Sequence, residues 1–269
     1  YLDNGTPKPV RSALLDGARW WNQAFEAAGY KDAFIVKVLP EDAHPLDVRY
    51  NVIQWIHRST RGWSYGSSVT DPRTGEIIKG HVSLGSLRVR QDYLIAVGLL
   101  APYGTNESNA TMQEMALARI RQLSAHEIGH TLGIAHNFAA STTGDASVMD
   151  YPHPQPKLVN GEIDLSNPYD VGIGEWDKVA VAYGYQDFPG GTNEEEALDN
   201  ILEEAYDSGL KYISDADARP QSGAHPDAHL WDFGADPSSQ LSKILEIRET
   251  ALENFGTANL KQGQDMAEL

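Results

Sequence analysis

The sequence predicts an α+β fold, on three observations. Residues 9–28 carry apolar side chains at steps of three and four, which is helical spacing. Short apolar, β-branched runs follow, bounded by proline and polar residues as strands are. A second long helix is expected from residue 111 to about 132, and beyond it only helical patterns recur.

The first helix rests on Val10, Leu14, Ala18, Trp21, Phe25 and Ala28, and Gly29 is its expected stop. Residues 33–39 and 50–56 read as strands. Turn chemistry over residues 71–75 leads into a third strand at 76–84. Thr111 and Glu114 have the spacing of a capping box, opening the helix that runs through His126. Pro152, Pro154 and Pro156 mark a rigid loop, and a helix starts within 177–183. Residues 195–214 and 238–255 are helical by pattern. The stretch 215–237 between them is rich in Pro, Asp and Gly. Asp215, Asp217, His225, Asp227 and His229 gather there as a candidate second metal site, for calcium. The plain reading of such a stretch is a solvated loop. The last ten residues are expected to fray.

Composition bounds the partners. The chain has 269 residues, 41% hydrophobic and 22% charged, as ordinary globular proteins do. Its formal charge of −17, from 21 basic against 38 acidic residues, argues against nucleic acid and anionic membranes. No apolar stretch is long enough to insert in a membrane, and no signal peptide opens the chain. Because it begins at Tyr1 rather than Met, the expectation is a piece of a longer precursor. With no cysteine, disulfides, thiolate ligands and a cysteine nucleophile are excluded.

The chemistry concentrates in residues 126–136, which fit H-E-x-x-H-x-x-G-x-x-H at every defined position. His126 and His130 lie four apart, on one helix face, so both rings can reach one metal ion. Glu127 is turned about 100° from His126, near enough to hold a water without ligating. A third ligand six residues beyond His130 cannot share that face. The helix must stop, and Gly133 is the residue that reaches a left-handed turn cheaply. His136 then completes a set of three nitrogens, leaving a fourth position open, as catalytic zinc requires. A lone histidine on a helix is usually a surface or core residue; three at this spacing, with the glutamate, are not.

A further segment, Ser147-Val-Met-Asp-Tyr151, resembles the Met-turn of metzincin metalloproteases. Together with HEIGHTLGIAHNF and the upstream GARWWNQAFEAAGYKDAF, it is similar to the bacterial Met-zincin domain of large exported zinc-dependent proteases. The resemblance implies a zincin-like metalloprotease fold. In it, a mixed twisted sheet and two long helices form an N-terminal subdomain over 1–136. A mostly helical C-terminal subdomain covers 137–269, the two making one catalytic domain. It also implies that Met149 lies beneath the metal and that Tyr151 steadies an oxyanion. The plain readings are a gap-filling Met and a packed Tyr. By order along the chain, Gly80, His81, Val82, Ser83 and Leu84 are candidates for the rim strand that pairs with extended substrate. The residue after the third histidine is Asn137, not the Glu of astacins or the Pro of serralysins, so substrate preference is borrowed from neither.

The expected function is a zinc endopeptidase, secreted or periplasmic by resemblance, acting on peptides or proteins. One zinc ion would activate water, with Glu127 as general base. Two alternatives stay open: a catalytically silent peptide- or glycan-binding module, and a zinc hydrolase of non-peptide amides.

Overall fold

A computed structural model describes residues 1–60, 63–104, 109–220 and 225–269. It is an α+β fold built around one long helix.

Helix α1 (Lys8–Arg19) and helix α2 (Trp21–Ala27) cover the span predicted as one helix. They part at Trp20, the first of two consecutive buried tryptophans, whose N–H turns to the Gly17 carbonyl. Gly29 ends the pair at φ +93°. Strand β1 (Val52–Ile56), strand β2 (Tyr65–Thr70) and strand β3 (Ile77–Gly85) form a sheet in the order β1-β3-β2. β3 runs parallel to β1 and antiparallel to β2. Residues 33–39 do not join as a strand. Residues 1–3 lie between that segment and β1, with the Leu2 N–H bonded to the Lys37 carbonyl and the Asp3 N–H to the Ile53 carbonyl.

Helix α3 (Leu87–Leu100) follows, unannounced by any clear amphipathic period. Helix α4 (Asn109–Thr131) then runs 23 residues, roughly 35 Å at 1.5 Å per residue. Thr111 is its third residue, inside the helix, so the capping box placed there is not its start. From Met115 to Gly129 every residue but Ala118 and Arg121 is buried. A helix covered all round is a central one, and each of its polar groups needs a partner. Ser124 Oγ donates to the Leu14 carbonyl at 2.8 Å, tying α4 to α1. Trp21 Nε1 donates to the Ala125 carbonyl, also at 2.8 Å.

Beyond α4 come the hairpin of β4 (Lys157–Val159) and β5 (Glu162–Asp164), then α5 (Glu175–Tyr185) and α6 (Glu194–Asp207). The four-residue α7 (Asp215–Ala218) and α8 (Pro237–Asn254) complete the helices. α6 stops earlier than predicted, where Gly209 takes φ +91°. Among the described residues no helix is long and apolar enough to cross a membrane.

Trp21 is fully buried in the core against α4. Trp21→Ala is expected to cost about 3–5 kcal/mol. Urea denaturation of the two proteins measures it, and a loss near zero would mean that Trp21 does not anchor α2 to α4.

Candidate metal centre

His126, His130 and His136 each offer one ring nitrogen, and these atoms all lie within 4.8 Å of one another. His130 Nε2 and His136 Nε2 are 3.2 Å apart. Two nitrogens each about 2.0–2.1 Å from a tetrahedral zinc would be separated by roughly 3.3 Å.

The other nitrogen of each ring faces an acceptor. His126 Nδ1 lies 2.8 Å from the Val148 carbonyl, His130 Nδ1 3.0 Å from the Ile134 carbonyl, and His136 Nδ1 2.6 Å from Asp215 Oδ2. Each Nδ1 therefore carries the proton and donates it, and each Nε2 presents a lone pair inward. Three lone pairs directed at one point repel unless a cation lies between them. The donor set, three neutral imidazoles with fixed tautomers, fits zinc.

Local geometry explains how the rings arrive. The Ile134 N–H bonds back to the Gly129 carbonyl and the Gly133 N–H to the His130 carbonyl, a Schellman turn with Gly133 at φ +84°. The same turn swings the Ile134 carbonyl round to receive His130 Nδ1. Met149 is fully buried and lies against Gly129, between the two helix-borne ligands. A Cβ at Gly129 would stand 2.2 Å from the Met149 sulfur, so that unspecified position of the motif has no room for a side chain.

The segment 147–149 is pinned by Asp177, a fully buried carboxylate in the first turn of α5. It accepts from Ser147 Oγ at 2.6 Å, from the Val148 N–H at 2.9 Å and from the Gly174 N–H at 2.8 Å. Burial pushes its carboxyl up to about 6, against those bonds. Gln122 Nε2 shares the Val148 carbonyl with His126, and Arg119 donates to Gln122 Oε1. Sequence reasoning passed over Asp177, Gln122 and Gly129. Nothing in their spacing marks them.

Glu127 is buried beside the cluster. Burial pushes its carboxyl up to about 7, while a hydrogen bond from the Gly66 N–H and the Arg119 charge act the other way. A bound divalent cation would lower it further. Tyr151 is half-buried, its ring 4.7 Å from that of His136 and 5.4 Å from that of His126, with Trp231 stacked on it at 5.1 Å. Asn137 is fully buried. Its amide nitrogen donates to the Lys211 carbonyl, and its oxygen accepts from the Ile213 N–H.

Two expectations need correction. Gly80, His81, Val82, Ser83 and Leu84 belong to β3, the central strand, whose backbone is engaged by β1 and β2. A peptide cannot add to it; the edge strand on the side of Glu127 is β2. Its sequence YGSSVT lacks the apolar alternation that would have marked it. The calcium grouping in 215–232 does not form among the described residues, where the three histidines are the one group of His, Cys, Asp or Glu placed to share an ion. Asp215 goes to His136 and Asp227 to Lys211. Residues 221–224 of that stretch lie outside the described residues.

A buried helix carrying two histidines and a glutamate, with a third histidine returned by a glycine turn, defines the class of zinc metalloproteases. Residues 108–269, more than half of the chain, match the family described as Met-zincin, and the chain belongs to that family. No curated protein and no solved structure matches it.

Asp150 beside Tyr151 offers a test of the electrostatics. Its carboxyl is pushed up to about 7 by burial, although the Tyr151 and Ser141 N–H groups donate to it; Asp232 and Asp145 add to the rise. A raised folded-state pKa gives stability that is present below the unfolded value and lost as pH rises through about 7. The buried His126 and His130 are lowered and titrate in the opposite sense, so the readout is a difference. Wild type should gain on Asp150→Asn as pH falls from about 7 to about 4, in parallel urea titrations with chelator present. A gap constant with pH would mean that Asp150 is solvated.

Proposed function

We propose that this chain is a zinc endopeptidase in which Glu127 is the general base. The observation that carries the reading is the placement of a buried carboxylate, held by the Gly66 N–H of the sheet edge, beside three converging imidazole nitrogens. His126, His130 and His136 would hold the ion. When bound, zinc polarises a carbonyl and lowers the pKa of its water from about 15.7 to about 7 in favourable sites.

The chain's own groups do the rest. Glu127 accepts the proton of the attacking water and delivers it to the departing amine. The Tyr151 hydroxyl donates to the carbonyl oxygen as negative charge develops there. Met149 acts as the Met-turn residue, a soft apolar floor under the ligand pair. An extended peptide lies along the edge formed by β2 and adds to the sheet by backbone hydrogen bonds. The substrate is a peptide or protein, not nucleic acid, which the charge of −17 would repel. By family resemblance the domain works outside the cytoplasm, within a longer chain.

A quenched-fluorescent peptide library tests this, run on wild type, Glu127→Gln and chelated protein. Cleavage should vanish on chelation and return with zinc. Glu127→Gln should keep one zinc per chain and lose about 10²–10⁴-fold in rate. Wild-type rates from Glu127→Gln would remove the proposed base. Stoichiometric zinc with no cleavage of any peptide would instead favour a binding module or a non-peptide substrate. Tyr151→Phe should slow turnover while leaving zinc affinity unchanged; a weakened affinity would make Tyr151 a packing residue only.

A further inference from the structure

His136 differs from the other two ligands in how it is held. His126 and His130 stand on a buried helix and donate to backbone carbonyls. His136 lies in irregular chain, and its Nδ1 is met by a side chain 79 positions further on, Asp215 of α7. That carboxylate is engaged at both oxygens. Oδ2 faces His136 at 2.6 Å, and Oδ1 accepts from Arg219 Nη1 at 3.1 Å, one turn along. A four-residue helix cannot hold such a carboxylate alone. The segment before it is fastened to the loop that carries the ligand. Asn137 donates to the Lys211 carbonyl at 2.8 Å and accepts from the Ile213 N–H at 3.2 Å; the Phe138 N–H donates to the Ile213 carbonyl at 2.8 Å. Residues 136–138 grip residues 211–213, which present Asp215 back to His136.

We propose that Asp215 is the positioning residue for the third metal ligand, setting the tautomer and angle of His136 so that zinc retention depends on the 211–219 segment. The inference rests on reading the three histidines as a zinc site. A carboxylate acceptor does more than a carbonyl. It draws on the Nδ1 proton, makes Nε2 a stronger donor to a cation, and offsets part of the ion's charge. Asn137, the residue at which this chain departs from astacins and serralysins, serves as the staple that brings the carboxylate there.

The test uses the chain as it stands. Zinc affinity is measured by competition with a chromogenic chelator for wild type, Asp215→Ala, Asp215→Asn and Asp217→Asn. Asp215→Ala should weaken zinc roughly 10–100-fold. Asp215→Asn, which keeps an acceptor but no charge, should fall between. Asp217→Asn, on the same short helix, should match wild type. Nitrogen-15 NMR of the chelated chain gives a readout that a merely structural role would not move: His136 should be protonated at Nδ1 in wild type and lose that preference in Asp215→Ala. Zinc binding by Asp215→Ala within twofold of wild type overturns the proposal, as does an Nε2-protonated His136 in wild type. A wild-type chain that binds no zinc removes the zinc reading itself, and the first titration shows this before any variant is made.

Discussion

Three ring nitrogens that point at one another cannot be left to themselves. Each lone pair repels the other two, so the arrangement persists only if every ring is held from behind and a cation joins them in front. The holding groups come from separate parts of the chain. The turn that ends α4 supplies the Ile134 carbonyl, the 147–149 segment supplies the Val148 carbonyl, and α7 supplies Asp215. Much of the fold beyond α4 can be understood as the means of bringing these acceptors to a helix that already carries two of the ligands.

The burial of α4 sets the rest of the energetics. A helix covered on all sides cannot carry histidine, glutamate, glutamine and arginine unless each finds a partner, because an unpaired buried polar group costs on the order of 1–3 kcal/mol. The outcome is a chain of contacts from Arg119 to Gln122, to the Val148 carbonyl, to His126. Asp177 grips the same peptide segment from the other side. The 147–149 segment is therefore held rigidly where Met149 meets Gly129. Close packing beneath the ligand pair and hydrogen bonding above it are two consequences of one buried helix.

Legibility followed the range of the interactions. The spacing of His126, Glu127, His130 and Gly133 is local, since it follows from helix geometry and one left-handed turn, and both stand in the structure. The strands at 52–56 and 77–85 were visible because they bury β-branched side chains. Strand β2 was not, because an exposed edge strand needs no apolar alternation, and order along the chain points instead to the central strand. The acidic residues of 215–232 looked like one grouping because they are close in sequence. In space Asp215 belongs to His136, and Asp227 pairs with Lys211.

By itself, then, the sequence determined the ligand set, the candidate base, the glycine turn and the α+β class, all of which depend on periodicity and on spacing within a few turns of chain. The tertiary structure alone decided which strand forms the edge beside Glu127. It also decided that a carboxylate 79 residues beyond His136 meets that ring and that Asp177 pins the 147–149 segment beside the histidines. The physical reason is that hydrogen-bond acceptors are interchangeable in sequence. Any carbonyl or carboxylate can serve, and only the path of the folded chain selects the one that does.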